Sequence, residues 1–369
     1  MASTAVAGPA PLGPRASRFP PGVAVGVSVN AALNDPDFRV LRVDLQLDAA
    51  AAHGVRLGRS DAFWGATELV AHGRRYFSWG ENDRVAEALA RRGIRWWPIL
   101  DYSTLWATTV PGTDHAPPVR AEDYANYARA FAERYGPEGR FWRLHPELPK
   151  LPVAAYEIWN EPDAVEFWRP APDPVRYLDL YLRARDAIRR VDATTPVIVG
   201  GLTNQPAFLV AMLASRAGSV GHVDGVGIHP YGRTPDAVIG HVRDMRRTLD
   251  ALGGHAVPLL VTEFGWEDRP PNARFYASAG QKAEFLTRTM RALVSSDCGI
   301  AAVIPYSWTT AQRDPRYDDD WFGFYGRDGQ ETPSSRALGA LLRSAGSARV
   351  FPHGPPAPLC RGFVPAPEP

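Results

Sequence analysis

The sequence predicts one α/β domain, a single (β/α)8 TIM barrel with long βα loops. Three observations predict it. Short apolar runs alternate with longer amphipathic segments along the 369 residues. The runs are apolar almost without interruption, as in parallel strands that helices cover on both faces. The alternation repeats eight times, which favours closure into a barrel over an open doubly wound sheet. A barrel of about 250 residues plus long loops uses most of the chain. It is placed at 22–346, after an Ala-, Pro- and Gly-rich segment at 1–21 expected to be disordered, and before a Pro-rich tail at 347–369 expected to wrap the surface.

The strand candidates, in order, are 23–29 (VAVGVSV), 55–60 (VRLGRS), 94–101 (IRWWPILD), 153–161 (VAAYEIWNE), 196–202 (PVIVGGL), 223–231 (VDGVGIHPY), 258–264 (PLLVTEF) and 300–308 (IAAVIPYSW). Helices are predicted at 36–53, 81–93, 121–136, 174–191, 206–217, 235–251, 279–296 and 333–345. Asp173-Pro174 and Thr234-Pro235 are cap-then-proline starts, and Gly54, Gly93 and Gly136 are stop signals. Residues 38–47 (FRVLRVDLQL) also read as a strand; helix is preferred because it keeps the count at eight. The segments 61–80, 102–120, 162–173 and 309–332 follow strands two, three, four and eight. They are rich in aromatics, Pro and Asp, and are the expected walls of a site at the C-terminal face.

Composition narrows the partners. Lys and Arg number 41 against 40 Asp and Glu, so no single-signed field points to nucleic acid or an anionic membrane. No run reaches the roughly 20 apolar residues of a membrane span. A neutral ligand suits the balance, and 11 Trp with 13 Tyr supply flat rings that fit the CH faces of sugars. The nine His lack ligand spacing, so no metal is expected. No dinucleotide, Walker or G-x-S-x-G loop appears, so no cofactor and no Ser nucleophile are expected either. Cys298 and Cys360 form one bridge tying the tail to the body, or stand as two reduced thiols. The first residues lack the basic and apolar regions of a signal peptide. A secreted or extracytoplasmic location is nevertheless expected, with a cytoplasmic one left open, and the chain is expected to be a monomer.

Two segments carry chemistry. Tyr156-Glu157-Ile158-Trp159-Asn160-Glu161-Pro162 ends strand four in a carboxylate at the barrel mouth, where Pro162 stops regular pairing. Val261-Thr262-Glu263-Phe264-Gly265-Trp266 ends strand seven in a second. Strands four and seven face each other across an eight-stranded barrel. Two glutamates converging on one bond are what glycoside cleavage needs, one protonating the leaving oxygen and the other attacking or activating water. Their separation, which decides between retention and inversion, cannot be read from sequence. Glu157, on the same side as Glu161, is the competitor; it is read as a buried carboxylate paired with an arginine.

The Asn-Glu-Pro of strand four and the Thr-Glu-Phe-Gly of strand seven resemble clan A glycoside hydrolases, families 39 and 5 above all, over about Val23 to Ser344. The resemblance implies retention, with Glu161 as acid/base and Glu263 as nucleophile. It implies that Arg59 supports the nucleophile, Asn160 binds the sugar 2-hydroxyl, and Tyr231 of His229-Pro230-Tyr231 bonds Glu263. Trp308 is expected under the sugar. Asp101, where many relatives carry histidine, and Trp266 are expected to meet the substrate. The Trp321-Phe322-Gly323-Phe324-Tyr325 stretch is similar to the clan's loop before the last helix. Trp64, Trp79, Trp106, Trp168 and Trp321 fit sugar subsites or core equally well, and the run Asp318 to Asp320 reads as a solvated loop face. The expected substrate is a β-linked glycoside. Transglycosylation on the same site, or glycan binding without catalysis, are the alternatives.

Overall fold

The computed structural model describes residues 18–36, 42–314, 316–345, 349–350 and 355–363. Eight parallel strands form the barrel wall: β1 (Val23–Val25 with Val27–Ser28), β2 (Leu57–Phe63), β3 (Arg95–Asp101), β4 (Tyr156–Ile158), β5 (Val197–Leu202), β6 (Val226–Ile228), β7 (Leu259–Val261) and β8 (Ile300–Val303). Each pairs with its sequence neighbour. The first half of β1 pairs with β8, Ala24 opposite Ala302, and the second half pairs with β2, Val27 opposite Gly58, so the sheet closes on itself. The principal helices are α1 (Val43–Ala52), α2 (Gly80–Ala90), α3 (Ala121–Tyr135), α4 (Pro174–Arg189), α5 (Pro206–Ala214), α6 (Pro235–Ala251), α7 (Ala279–Val294) and α8 (Pro333–Ala345). This is the predicted (β/α)8 architecture.

Local chemistry sets the helix starts. The Asp173 carboxylate accepts from the Val175 and Arg176 amides at 3.1 and 3.0 Å, and the Thr234 hydroxyl accepts from Ala237 at 3.3 Å, each followed by proline at the first helical position. Past α2, Gly93 takes φ +67, a backbone state that side chains resist, and turns the chain into β3.

Two expectations are corrected and one choice holds. Strand two continues to Phe63, and the segment after it is not loop throughout. It holds a short helix (Trp64–Thr67) and an antiparallel hairpin, Glu68–Ala71 with Arg74–Phe77. His72 and Gly73, with φ of +49 and +70, supply the turn whose twist suits a two-residue hairpin. Strands four, six, seven and eight are shorter than predicted, because pairing stops below the mouth and the next residues bend into the pocket. The choice of helix over strand for 38–47 holds where the segment is described, since Val43 onward is helical; residues 37–41 lie outside the described residues.

The barrel interior is apolar at its base. Ala24, Leu57, Trp97, Ala155, Ile198, Leu260, Ala302 and Ile304 form one buried cluster. Phe19 closes it from below, its ring 6.3 Å from Trp97. Most of the 1–21 segment lies outside the described residues, but at its end Phe19 is thus packed. In the tail, Arg349–Val350 adds an antiparallel strand beside β1, and Cys360 is bridged to Cys298. Among the described residues no helix is long and apolar enough to cross a membrane.

Candidate active site

Polar groups replace the apolar filling above the base of the barrel, and they do so around Arg59. Its side chain is buried on β2, and its Nε and Nη2 each donate to the Glu157 carboxylate at 2.9 Å. Nη1 donates to Glu263 at 2.5 Å and Nη2 to the Asn160 amide oxygen at 3.1 Å. Burial opposes the charge, yet Glu157 and Glu263 outweigh it and hold the guanidinium protonated. Glu157 also accepts from Trp97 Nε1 at 2.9 Å and the Gly201 amide at 3.1 Å, so it is the structural partner of an arginine. The geometry of the planar fork, paired twice to one carboxylate, fixes where the second carboxylate can sit.

Glu161 and Glu263 leave their strands at the mouth and meet there. β4 pairing ends at Ile158. Trp159 and Glu161 then take φ of +68 and +45, strained for side-chain-bearing residues, and this turns Glu161 into the pocket. The Glu161 amide is held by Gly201 O at 3.1 Å. Asp163 clamps the same turn, its carboxylate accepting from the Thr203 amide at 2.8 Å and the Thr203 hydroxyl at 2.9 Å. Burial raises the Asp163 pKa from its ordinary 3.8 to about 6, with Thr203 holding it back.

His229 links the two glutamates. Its Nδ1 lies 2.7 Å from Glu161 Oε1 and 3.8 Å from Glu263 Oε2, and its Nε2 lies 3.1 Å from Thr262 Oγ1 and 3.3 Å from Arg59 Nη2. With a proton on Nδ1 the ring donates to Glu161, while Nε2 faces the Thr262 hydroxyl and Arg59. Burial disfavours the charged ring, but the Glu263 and Glu161 carboxylates outweigh it and raise its pKa above 6.5. The ring needs the space of Gly201, where a Cβ would stand 1.9 Å from Nε2. Tyr231 donates its hydroxyl to Glu263 Oε2 at 2.8 Å, and burial pushes that phenol well above its usual range. Burial alone would raise the Glu263 pKa; His229, Arg59 and the Tyr231 hydroxyl instead bring it below its ordinary value, so the carboxylate is ionised.

One oxygen of Glu161, one of Glu263 and one His229 nitrogen lie within 4.8 Å of one another. Among the described residues these three could together hold a cation, but the Arg59 guanidinium fixed 2.5 Å from Glu263 already supplies positive charge there. The other such group, Asp297 with Cys298 and Cys360, has its sulfurs in the disulfide.

The three sit in a pocket of about 810 Å³. It brings together Arg59, Asn160, Glu161, His229, Tyr231 and Glu263 from the predicted set, and its aromatic walls are Tyr102, Phe167, Phe275, Tyr306 and Phe322. Three predicted contacts are not among its walls. Trp308 is fully buried and stacks on Tyr325, ring centroids 4.9 Å apart, with its edge toward His53. β8 pairing ends at Val303, and the chain beyond it presents Tyr306 to the pocket and turns Trp308 into the helix layer. Trp266 is buried edge-on to Phe264 and to Phe285 of α7. Asp101 is buried below the floor. Trp64, Trp79, Trp106, Trp168 and Trp321 line none of it, whereas Asp319, from the run read as solvated, does. Asp61, Tyr306 and the clamp Asp163 were missed. The first two carry no motif, and Asp163 was visible only as the residue after Asn-Glu-Pro.

No protein-family model matches the sequence, and no curated protein does. The fold is that of several solved structures. A family 39 glycoside hydrolase from Bacteroides cellulosilyticus shares 20% identity at a TM-score of 0.66, over 88% of this chain and 64% of that one. A GH39 β-xylosidase from Caulobacter crescentus shares 22% at 0.66, over 89% and 73%. GH5_18 from Streptomyces cattleya shares 17% at 0.65, over 90% and 82%. The chain spans a little under two thirds of the length of the first of these. In fold, this chain is a (β/α)8 barrel of the kind found in the family 39 and family 5 glycoside hydrolases of clan A.

Proposed function

We propose that the chain is a retaining hydrolase of β-linked glycosides. The observation that carries this reading is the approach of the Glu161 and Glu263 carboxylate oxygens to within 4.8 Å at the ends of β4 and β7. Double displacement uses carboxyl groups about 5–5.5 Å apart, whereas inversion needs about 6.5–9.5 Å to seat a water between them. Glu263, ionised and held by Arg59 and Tyr231, attacks the anomeric carbon while Glu161 protonates the departing glycosidic oxygen. The aglycone leaves, and a glycosyl ester forms on Glu263. Glu161, now a carboxylate beside His229 Nδ1, takes a proton from the incoming water as that water's oxygen attacks the same carbon. The ester bond breaks, Glu263 is freed and Glu161 is reprotonated.

Asn160 lines the pocket with its amide oxygen held by Arg59, and in this reading it meets the sugar 2-hydroxyl. The disulfide supports an extracytoplasmic location, where such bridges persist. The solved relatives include a β-xylosidase and an exo-β-1,4-mannosidase, so both sugars belong in the test. Aryl β-xyloside, β-glucoside and β-mannoside are incubated with the protein, and the first-formed sugar is followed by proton NMR. The β-anomer appearing first is expected. An α-anomer appearing first would exclude double displacement.

A further inference from the structure

We infer that Asp101 and Asp61 form a carboxylic acid–carboxylate pair under the pocket floor, in which Asp101 holds the proton and Asp61 is the acceptor that selects the hydroxyl groups of the glycone. The second half rests on the proposed glycosidase reading; the first stands without it.

Asp61 lies two residues after Arg59 on β2 and lines the pocket. Its carboxylate is fixed from one side. Asn30 Nδ2 donates to Oδ2 at 2.6 Å, the Asp61 amide donates back to Asn30 Oδ1 at 3.1 Å, and Asn34 Nδ2 holds that same Oδ1 at 2.7 Å. Asp101 ends the adjacent strand, entirely buried, and neither of its oxygens has a donor among the described residues. The nearby hydroxyls are committed elsewhere: Tyr124 donates to Leu100 O and Tyr127 to Ala62 O. Arg59 is occupied by Glu157, Glu263 and Asn160.

An ionised Asp101 would therefore be a buried charge with no donor, beside a second carboxylate. Both conditions favour the neutral acid. Asp61 lies opposite Ile99 and Asp101 opposite Phe63 on the paired strands β2 and β3, so the two carboxyls fall on the same face one pair apart and interact; once Asp101 carries a proton it can donate to Asp61. Burial and the Asp61 charge raise the Asp101 pKa well above the carboxylate range. Asp61 is raised less, to about 6, because Asn30 and Arg59 oppose its burial. Asp61 thus faces the pocket as an acceptor whose orientation is fixed by Asn30 and Asp101, and the groups that satisfy an acceptor in a sugar are hydroxyls. Asp101 is a positioning residue; Asp61 is the one that touches substrate.

Two measurements test this. In infrared difference spectra at neutral pH, wild type minus Asp101→Asn should show the carbonyl stretch of a protonated, hydrogen-bonded carboxyl, and Asp61→Asn should shift that band. Its absence from wild type would overturn the proton assignment, whatever the activity. In kinetics, the aryl β-xyloside, β-glucoside and β-mannoside are compared with their 3-deoxy and 4-deoxy analogues. Wild type should lose on the order of 10- to 100-fold in kcat/KM on at least one deoxy analogue, the loss expected for a hydrogen bond to a charged group. Asp61→Asn should reduce that discrimination to a few-fold. Discrimination unchanged in Asp61→Asn would overturn the recognition role. If wild type cleaves none of the glycosides, the glycosidase reading falls and the recognition role with it, while the infrared result still decides the proton.

Discussion

Tyr231 donates its one hydroxyl proton to Glu263, and a hydrogen bond to the ionised form of a carboxylate lowers its pKa. Tyr231→Phe keeps the ring against Phe275 and Phe322 and removes only that bond. The expected result is a Glu263 that titrates higher: the acid limb of the kcat/KM–pH profile moves to higher pH and kcat falls by about tenfold or more. A limb that stays in place would mean that this carboxylate does not control the reaction. At this scale the sequence was informative where a motif fixed position. Glu161 and Glu263 end opposed strands, Asn160 precedes one of them, and the reading of Glu157 as an arginine's partner is what Arg59 makes of it. It was uninformative where direction depends on where pairing stops. Tyr306 and Trp308 are both plausible platforms by composition, and only the end of β8 at Val303 separates the pocket residue from the core one.

Among elements, the turn after β4 depends on β5 through Asp163 and Thr203. Burial moves the Asp163 pKa up to about 6, whereas in the unfolded chain it titrates near 3.8. Between those values the folded state binds more protons than the unfolded one, so this residue's contribution to stability falls as pH rises from about 4 to about 6 and is constant above. Asp163→Asn cannot ionise and keeps an oxygen for the Thr203 amide. Its stability relative to wild type should rise over that window and then level off, read from urea unfolding at about pH 4.5, 5.5 and 7. A difference independent of pH would show that Asp163 is not protonated in the fold at the lower pH. Helix starts were legible because Asp173, Thr234 and the prolines after them act locally. The hairpin at Glu68–Phe77 was not, since His72-Gly73 is a turn signal only once two short strands are recognised on either side. Strand ends at the mouth were overextended for a related reason: the apolar run continues into residues that no longer pair.

For the whole molecule, closure was legible because eight repeated units leave few alternatives, and the sheet order follows the chain. The state of the two cysteines was not, because proximity across 62 residues is a property of the folded chain. The bridge holds the 355–363 segment to the loop before β8, where Asp297 accepts from the Cys360 and Gly362 amides at 2.7 and 2.6 Å. Replacing both cysteines by serine should lower stability by about 2–4 kcal/mol in urea unfolding and leave kcat unchanged, because the bridge lies away from the pocket. A loss of kcat at unchanged stability would contradict that placement. The central claim of the proposed function is that the glutamates after β4 and β7 act on one glycosidic bond, with Glu263 as the nucleophile. It is tested most directly by incubating the protein with 2,4-dinitrophenyl 2-deoxy-2-fluoro-β-glycosides of the xylo, gluco and manno series and mapping the labelled peptide by mass spectrometry. Release of one dinitrophenolate per protein, with the fluorosugar on Glu263, is the predicted result; a label on Glu161 or on any other residue would contradict it.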